Sequence, residues 1–202
     1  MMASHQRERV VALVTPVFAK RGYASTTVND LLAAGKVGVG NFYELFEGKE
    51  DCFAAAFERA LSEAHEEVAL AAGPGENWAE RSFLGLHGLI SFIIARPLEA
   101  RLVLLEAQSA GERALARYDE LLDTAVAWLR RGRKKSREAE RLPQGFERAS
   151  ISGLTFYLQQ CLLDRGSLDA EVLFGEVAEL VLAPIIGPET MACLRETLHT
   201  SV

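Results

Sequence analysis

Residues 26–53 read TTVNDLLAAGKVGVGNFYELFEGKEDCF, a pattern that fits two short helices, a tight turn and the start of a longer third helix. Leu31, Leu32, Val37 and Phe42 supply the apolar positions such helices must bury. Thr26 or Thr27 offers a side-chain oxygen as N-cap, and Asp30 follows at the spacing of a helix start. The pair Phe42-Tyr43 closes the second helix, and Lys49 opens the third. Helices in this order form a helix-turn-helix, whose second helix enters the major groove of DNA.

The rest of the chain carries helical periodicity and no strand series. Val10, Leu13, Val14, Val17 and Phe18 share one face of a first helix, with Gly22 as its natural stop. Pro16 falls inside that helix and is expected to remove one ladder hydrogen bond and bend it. Further helices are expected at about 49–72, 77–95, 98–109, 112–131, 146–164 and 169–183, with a short last one after Gly187-Pro188. A loop is expected over about 132–145. The basic run 130–137 lies there, and its like charges predict a solvated, mobile segment. The expected fold is all-α, with nine to ten helices in two domains, 1–50 and 51–202.

Within the first fifty residues stand Arg21-Gly22-Tyr23, Thr26-Thr27-Val28, Gly40-Asn41-Phe42-Tyr43, Phe46, and Lys49-Glu50 followed by Phe53. In this combination the segment resembles the DNA-binding domain of the tetracycline-repressor (TetR) family of bacterial transcription regulators. The resemblance covers about a quarter of the chain. It implies a three-helix head followed by a helical ligand-binding and dimerisation domain. It also implies a homodimer that represses transcription from a palindromic double-stranded DNA operator and is released by a small ligand. Thr26, Thr27, Tyr43 and Lys49 would then lie at the backbone side of the contact. Lys36, Gly38, Val39, Gly40 and Asn41 would approach the groove.

The chain departs from the family pattern at several points. Lys36 stands in the turn where the family usually has glycine, and the glycine falls one position earlier, at Gly35. Gly38 replaces the serine that usually caps the recognition helix, and glycine is a weaker cap. Val39 and Glu44 stand where basic residues are common. The helix therefore lacks the side chains that read guanine through paired hydrogen bonds. These departures keep a second reading open: a helical ligand-binding or interaction protein whose DNA binding has degenerated.

Charge and chemistry narrow the remaining classes. The chain carries net −6, unevenly spread: residues 1–50 hold six basic against five acidic side chains, and 51–202 hold sixteen against twenty-three. An acidic body favours a small, defined contact with phosphates over a broad basic one. Cys52, Cys161 and Cys193 are too scattered for a disulfide framework, which suits a reducing cytoplasm, and the first two fall in apolar stretches that predict burial. His5, His65, His87 and His199 lack metal-ligand spacing, and no phosphate-cradling or nucleophile motif occurs. No enzyme, cofactor or membrane association is expected.

Beyond the head, polar residues punctuate apolar helix faces. His87 shares a face with Phe83 and Ile90, Glu106 interrupts an apolar run, and Trp128, Tyr157 and Gln160 sit among leucines and alanines. Each fits a satisfied core group equally well; together they are the expected lining for a small apolar or amphiphilic ligand. The helices at 146–164 and 169–183 are too apolar for one stripe each. Ile151, Leu154, Leu158, Leu162, Phe174, Val177 and Val181 are the expected dimer contacts, because a helix apolar on two sides must bury both.

Overall fold

The computed structural model describes residues 2–164 and 169–200. Among these there are eleven α-helices and no strand. The architecture is all-α as expected, with one more helix than the upper expectation. The additional break is made by Pro184, which has no N–H to continue the ladder of the helix before it. Leu182 is left as a cap, and a four-residue helix begins at Ala183. No helix among the described residues is long and apolar enough to cross a membrane.

Packing divides the chain into two units, Met1–Glu63 with Arg96–Asp119, and Ala64–Ala95 with Glu120–Val202. This boundary differs from the expected one near residue 50. The first unit keeps the leading half of one long helix because residues 96–119 bond back into it: Arg96 pairs with Glu63 at 2.8 Å and Arg117 with Glu58 at 2.6 Å.

The first unit contains α1 (Met2–Arg21), α2 (Val28–Gly35), α3 (Val39–Leu45) and the start of α4 (Lys49–Ala72). It also contains α6 (Pro97–Arg101), which continues as a π-helical turn at Leu102–Glu106, and the start of α7 (Glu112–Arg133). Val10, Val14, Phe18, Leu31, Phe42, Phe46, Phe53 and Phe57 are all at most 1% exposed. Phe53 meets Phe18 and Tyr23 edge-on, each with ring centroids 5.2 Å apart. Each fully buried phenylalanine contributes roughly 2–3 kcal/mol of apolar burial, so this cluster dominates the unit's stability. The helix α1 runs through Pro16 unbroken and ends at Gly22, whose φ of +82° suits glycine.

The second unit contains the end of α4, α5 (Trp78–Ala95), the end of α7, α8 (Phe146–Leu163), α9 (Ala170–Val181), α10 (Ala183–Ile186) and α11 (Pro188–Thr200). The helices α4 and α5 touch across small residues: a Cβ added at Gly88 would lie 2.7 Å from Ala71 Cβ and 2.9 Å from Glu67 O. Gly132 plays the same part in α7, where an added Cβ would fall inside the Trp78 ring.

The basic run departs from the mobile loop expected. Its first four residues are the last turn of α7. Arg133 donates to Leu142 O and to Pro143 O at 3.0 Å, and pairs with the buried Glu147 at 3.3 Å. A short 3-10 turn, Glu138–Arg141, occupies the middle of the expected loop, with Ala139 fully buried.

Candidate nucleic-acid interface

The helix α2 is closed at its start by its own side chains. Thr27 is the N-cap, with φ −101° and ψ 162°, and its hydroxyl oxygen accepts the Asp30 N–H at 3.2 Å. The Asp30 carboxylate in return accepts the Thr27 N–H at 2.9 Å and its O–H at 2.7 Å, which completes a capping box. Arg21 adds an ion pair. The Thr27 backbone donor, then its hydroxyl, then Arg21 hold the Asp30 carboxyl down at about 2, against its ordinary 3.8.

Thr26, expected at the DNA surface, turns inward instead. It is 1% exposed, and its hydroxyl donates to Gly22 O at 2.7 Å, where it satisfies a carbonyl at the end of α1. Of the two threonines, Thr27 is the cap and the exposed one.

Lys36 ends α2 in the left-handed region, φ 53° and ψ 46°, the single non-glycine residue with positive φ among the described residues. A lysine in this conformation costs about 1 kcal/mol relative to glycine. The preceding glycine serves packing instead: a Cβ on Gly35 would come within 3.0 Å of Val10. Lys36 itself is exposed.

The helix α3 is anchored from below. Phe42 is fully buried and tilts against Phe46, ring centroids 5.3 Å apart. Gly38 at the N-cap supplies no side-chain bond. The other end is held by Arg7, whose guanidinium donates to Leu45 O at 3.3 Å, reaches Asp51 at 3.4 Å and lies 4.9 Å from the Phe46 ring centroid. Sequence reading missed Arg7, because nothing local marks a partner 38 residues away. The outer face of α3 carries Val39, Gly40, Asn41, Tyr43 and Glu44, all exposed.

Lys49, expected at a phosphate, lies half-buried at the base of this arrangement. Its ammonium donates to Tyr23 O at 3.0 Å and sits 4.1 Å from the centre of the Tyr23 ring. Burial, and then the charge of Glu50, raise the Tyr23 pKa. The Tyr23 N–H donates to Glu106 Oε2 at 2.7 Å. Glu106 thus belongs to the first unit, at the end of the π-helical turn, and the other residues expected around a ligand belong to the second.

Of those others, the second unit brings Phe83 and His87 together in a cavity of about 440 Å³. The remaining lining comes from α9 and α11 and includes Val172, Phe174, Glu171, Glu176, Glu179 and Arg195. Arg195 pairs with Glu179 at 2.7 Å, and the Phe174 ring meets Phe83 and His87 edge-on, at 4.9 and 5.1 Å. Ile90 is 1% exposed and does not line this cavity. Trp128 donates to Ser82 Oγ at 2.8 Å and packs on Trp78. Tyr157 bonds Glu176, which raises its pKa, and Gln160 points from α8 as an exposed residue.

The expected dimer contacts face inward. Ile151, Leu154, Leu158, Leu162, Phe174, Val177 and Val181 are each at most 7% exposed within a single chain. Both helices do carry a second apolar set, and that one is outside: Phe156 and Leu163 on α8, Val172 and Leu180 on α9, all 45–62% exposed. The spacing revealed two faces but not which of them meets the chain's own core. Cys52 is fully buried, which pushes its thiol up to about 12, while Cys161 is half-buried. The side chain of His199 lies outside the described residues.

Residues 15–56 match the sequence pattern of bacterial regulatory proteins of the tetR family. The chain carries a tetR-family head. Over 44 residues it is 46% identical to the HTH-type transcriptional repressor DhaR of Mycobacterium sp. (strain GP1), a match spanning 22% of this chain and 22% of that repressor's length. Beyond the head the likeness is one of fold. The fatty acid degradation regulator FadR from Bacillus halodurans superposes with a TM-score of 0.74 over 88% of this chain and 94% of that one, at 17% identity. A structure of AibR with isovaleryl coenzyme A and operator DNA gives 0.70 over 86% and 97%, also at 17% identity. The tetR-family head thus sits in a chain whose all-helical fold matches those regulators nearly end to end.

Proposed function

We propose that this chain is a ligand-responsive transcriptional regulator, acting as a repressor. Two copies place the outer faces of their α3 helices in successive major-groove segments of a palindromic operator. The observation that carries this reading is the tetR-family head itself: α3 held from beneath by Phe42 and Arg7, with Val39, Asn41 and Tyr43 left outside. The second copy meets the first across Phe156, Leu163, Val172 and Leu180. A lasting interface of this kind buries about 2,000 Å² or more, so sedimentation at micromolar concentration should give a species of twice 22.1 kDa. A clean monomer would remove both the dimer and the palindrome.

The ligand is a small apolar or amphiphilic molecule, its body against Phe83 and Phe174 in the second unit's cavity. It relieves repression by binding the released state better than the DNA-bound state. The helix α4 contributes to both units, so its residues are shared between the head and the ligand-binding part. Selection of genomic fragments with purified protein at several salt concentrations tests the reading, since a specific complex enriches discrete sites and weakens as salt rises. Exposed Val39 and Glu44 favour the rival reading of an interaction protein without DNA binding, and failure to enrich any fragment would select it.

A further inference from the structure

The outer face of α3 is unusual in what the fold does not ask of it. Gly38 and Gly40 have ordinary φ, and a Cβ at either would meet nothing within 4 Å. Neither packing nor backbone conformation calls for glycine there. Gly38, at the N-cap, forgoes the stronger cap that serine or threonine would supply, and Gly40 lies inside the helix, where glycine loses more backbone freedom than alanine. Between and beside these bare positions stand Val39, 58% exposed, and Asn41, whose carboxamide has no hydrogen bond among the described residues. The helix carries no arginine or lysine, and the nearby cation, Lys36, belongs to the turn.

We infer that the half-site under α3 is read as A·T steps: Asn41 on an adenine, Val39 on a thymine methyl, with Gly38 and Gly40 letting the helix backbone come close to the base edges. This rests on the DNA-binding reading above and adds its base preference. In the major groove an adenine presents N7 as acceptor and N6 as donor, a pair that one carboxamide satisfies. A thymine alone among the four bases presents a methyl group, and a valine side chain buries it without needing a polar partner. Guanine recognition through O6 and N7 asks for a cationic fork that this helix does not have. Glu44, exposed on the same helix, repels phosphates and leaves the approach to the smaller residues.

The test starts from operators selected out of a random duplex library with the full-length protein. Selected half-sites should carry A·T steps under α3. Replacing the contacted thymine by uracil, which removes only the methyl, should weaken binding about fourfold, the worth of one buried methyl group. That sensitivity should shrink in Val39→Ala, whose smaller side chain covers less of the methyl. Exchanging the A·T pair beneath Asn41 for G·C should weaken binding about tenfold or more, and Asn41→Ala should lose the discrimination. Gly40→Ala should raise the melting temperature by about 2 °C yet lower operator affinity, opposite signs that a purely structural role would not produce. Specific enrichment of G·C-rich half-sites, uracil binding as well as thymine, or a Gly40→Ala variant of undiminished affinity would overturn the inference and leave the DNA-binding reading standing. No enrichment at any sequence would overturn both.

Discussion

Two neighbouring helices of nearly equal length, α2 and α3, both rest on the core, through Leu31 and Phe42, but differ in how their ends are held. The eight residues of α2 carry their own cap, Thr27 with Asp30, on their own segment. The seven residues of α3 have no side-chain cap at Gly38 and are held by what lies beneath them: Phe42 in the aromatic core and Arg7 from α1. A seven-residue helix is far too short to persist alone in water. The contrast separates two jobs. The side-chain cap commits surface residues of α2 to its own fold, whereas α3, held by Phe42 beneath and by Arg7 at its far end, keeps its outer face free for another molecule.

The largest expected effect strikes the anchor. Phe42→Ala should cost about 3–5 kcal/mol, the range for deleting a fully buried phenylalanine, and thermal unfolding should register it as a drop on the order of 10 °C. If the loss were below about 1 kcal/mol, α3 would not be held from beneath. Next comes the cap: Thr27→Ala should cost about 1 kcal/mol, while an exposed alanine substitution at Asn41 should change stability by less than about 0.5 kcal/mol. Equal losses at the two positions would erase the contrast. Lys36→Gly should stabilise the head by about 1 kcal/mol or less, by relieving the left-handed lysine.

The smallest effect is a pH dependence confined to α2. The Asp30 carboxyl titrates at about 2 when folded and near its ordinary 3.8 when unfolded. A depressed folded pKa means that its stabilising contribution is complete above the unfolded value and fades as pH falls from about 4 toward 2. Thermal unfolding between pH 5 and pH 2 should therefore fall less steeply in Asp30→Asn than in the parent chain. Parallel slopes would mean that the capping box does not form in solution.

The same two helices explain what could be read from the chain beforehand. The start of α2 was legible because cap and partner lie three residues apart, although the choice between Thr26 and Thr27 was not. Gly22 and Phe42 were legible because a helix stop and an apolar period are local signals. Arg7 on Leu45 and Glu106 on Tyr23 were not, since their partners lie 38 and 83 residues away. Glu106 interrupts an apolar run just as a ligand contact would, and only the fold shows its carboxylate closing the end of α1. For α8 and α9 the two apolar faces were visible as composition, but assigning one to the core needed Phe174 seen against Phe83. Pro184 was in plain view, and its consequence for α9 was missed.

If the outer face of α3 serves DNA and not the fold, as proposed, Tyr43 should separate affinity from stability most directly. Its side chain is 53% exposed, and its hydroxyl makes no hydrogen bond among the described residues. Removing that oxygen in Tyr43→Phe should leave the melting temperature unchanged. Titration of a selected operator, followed by fluorescence anisotropy, should then show binding weakened about tenfold, as for a lost hydrogen bond to a charged phosphate. The loss should be nearly the same for different operator sequences, because a phosphate contact positions the helix without reading bases. Undiminished affinity in Tyr43→Phe, with the fold intact, would contradict the proposed docking of α3.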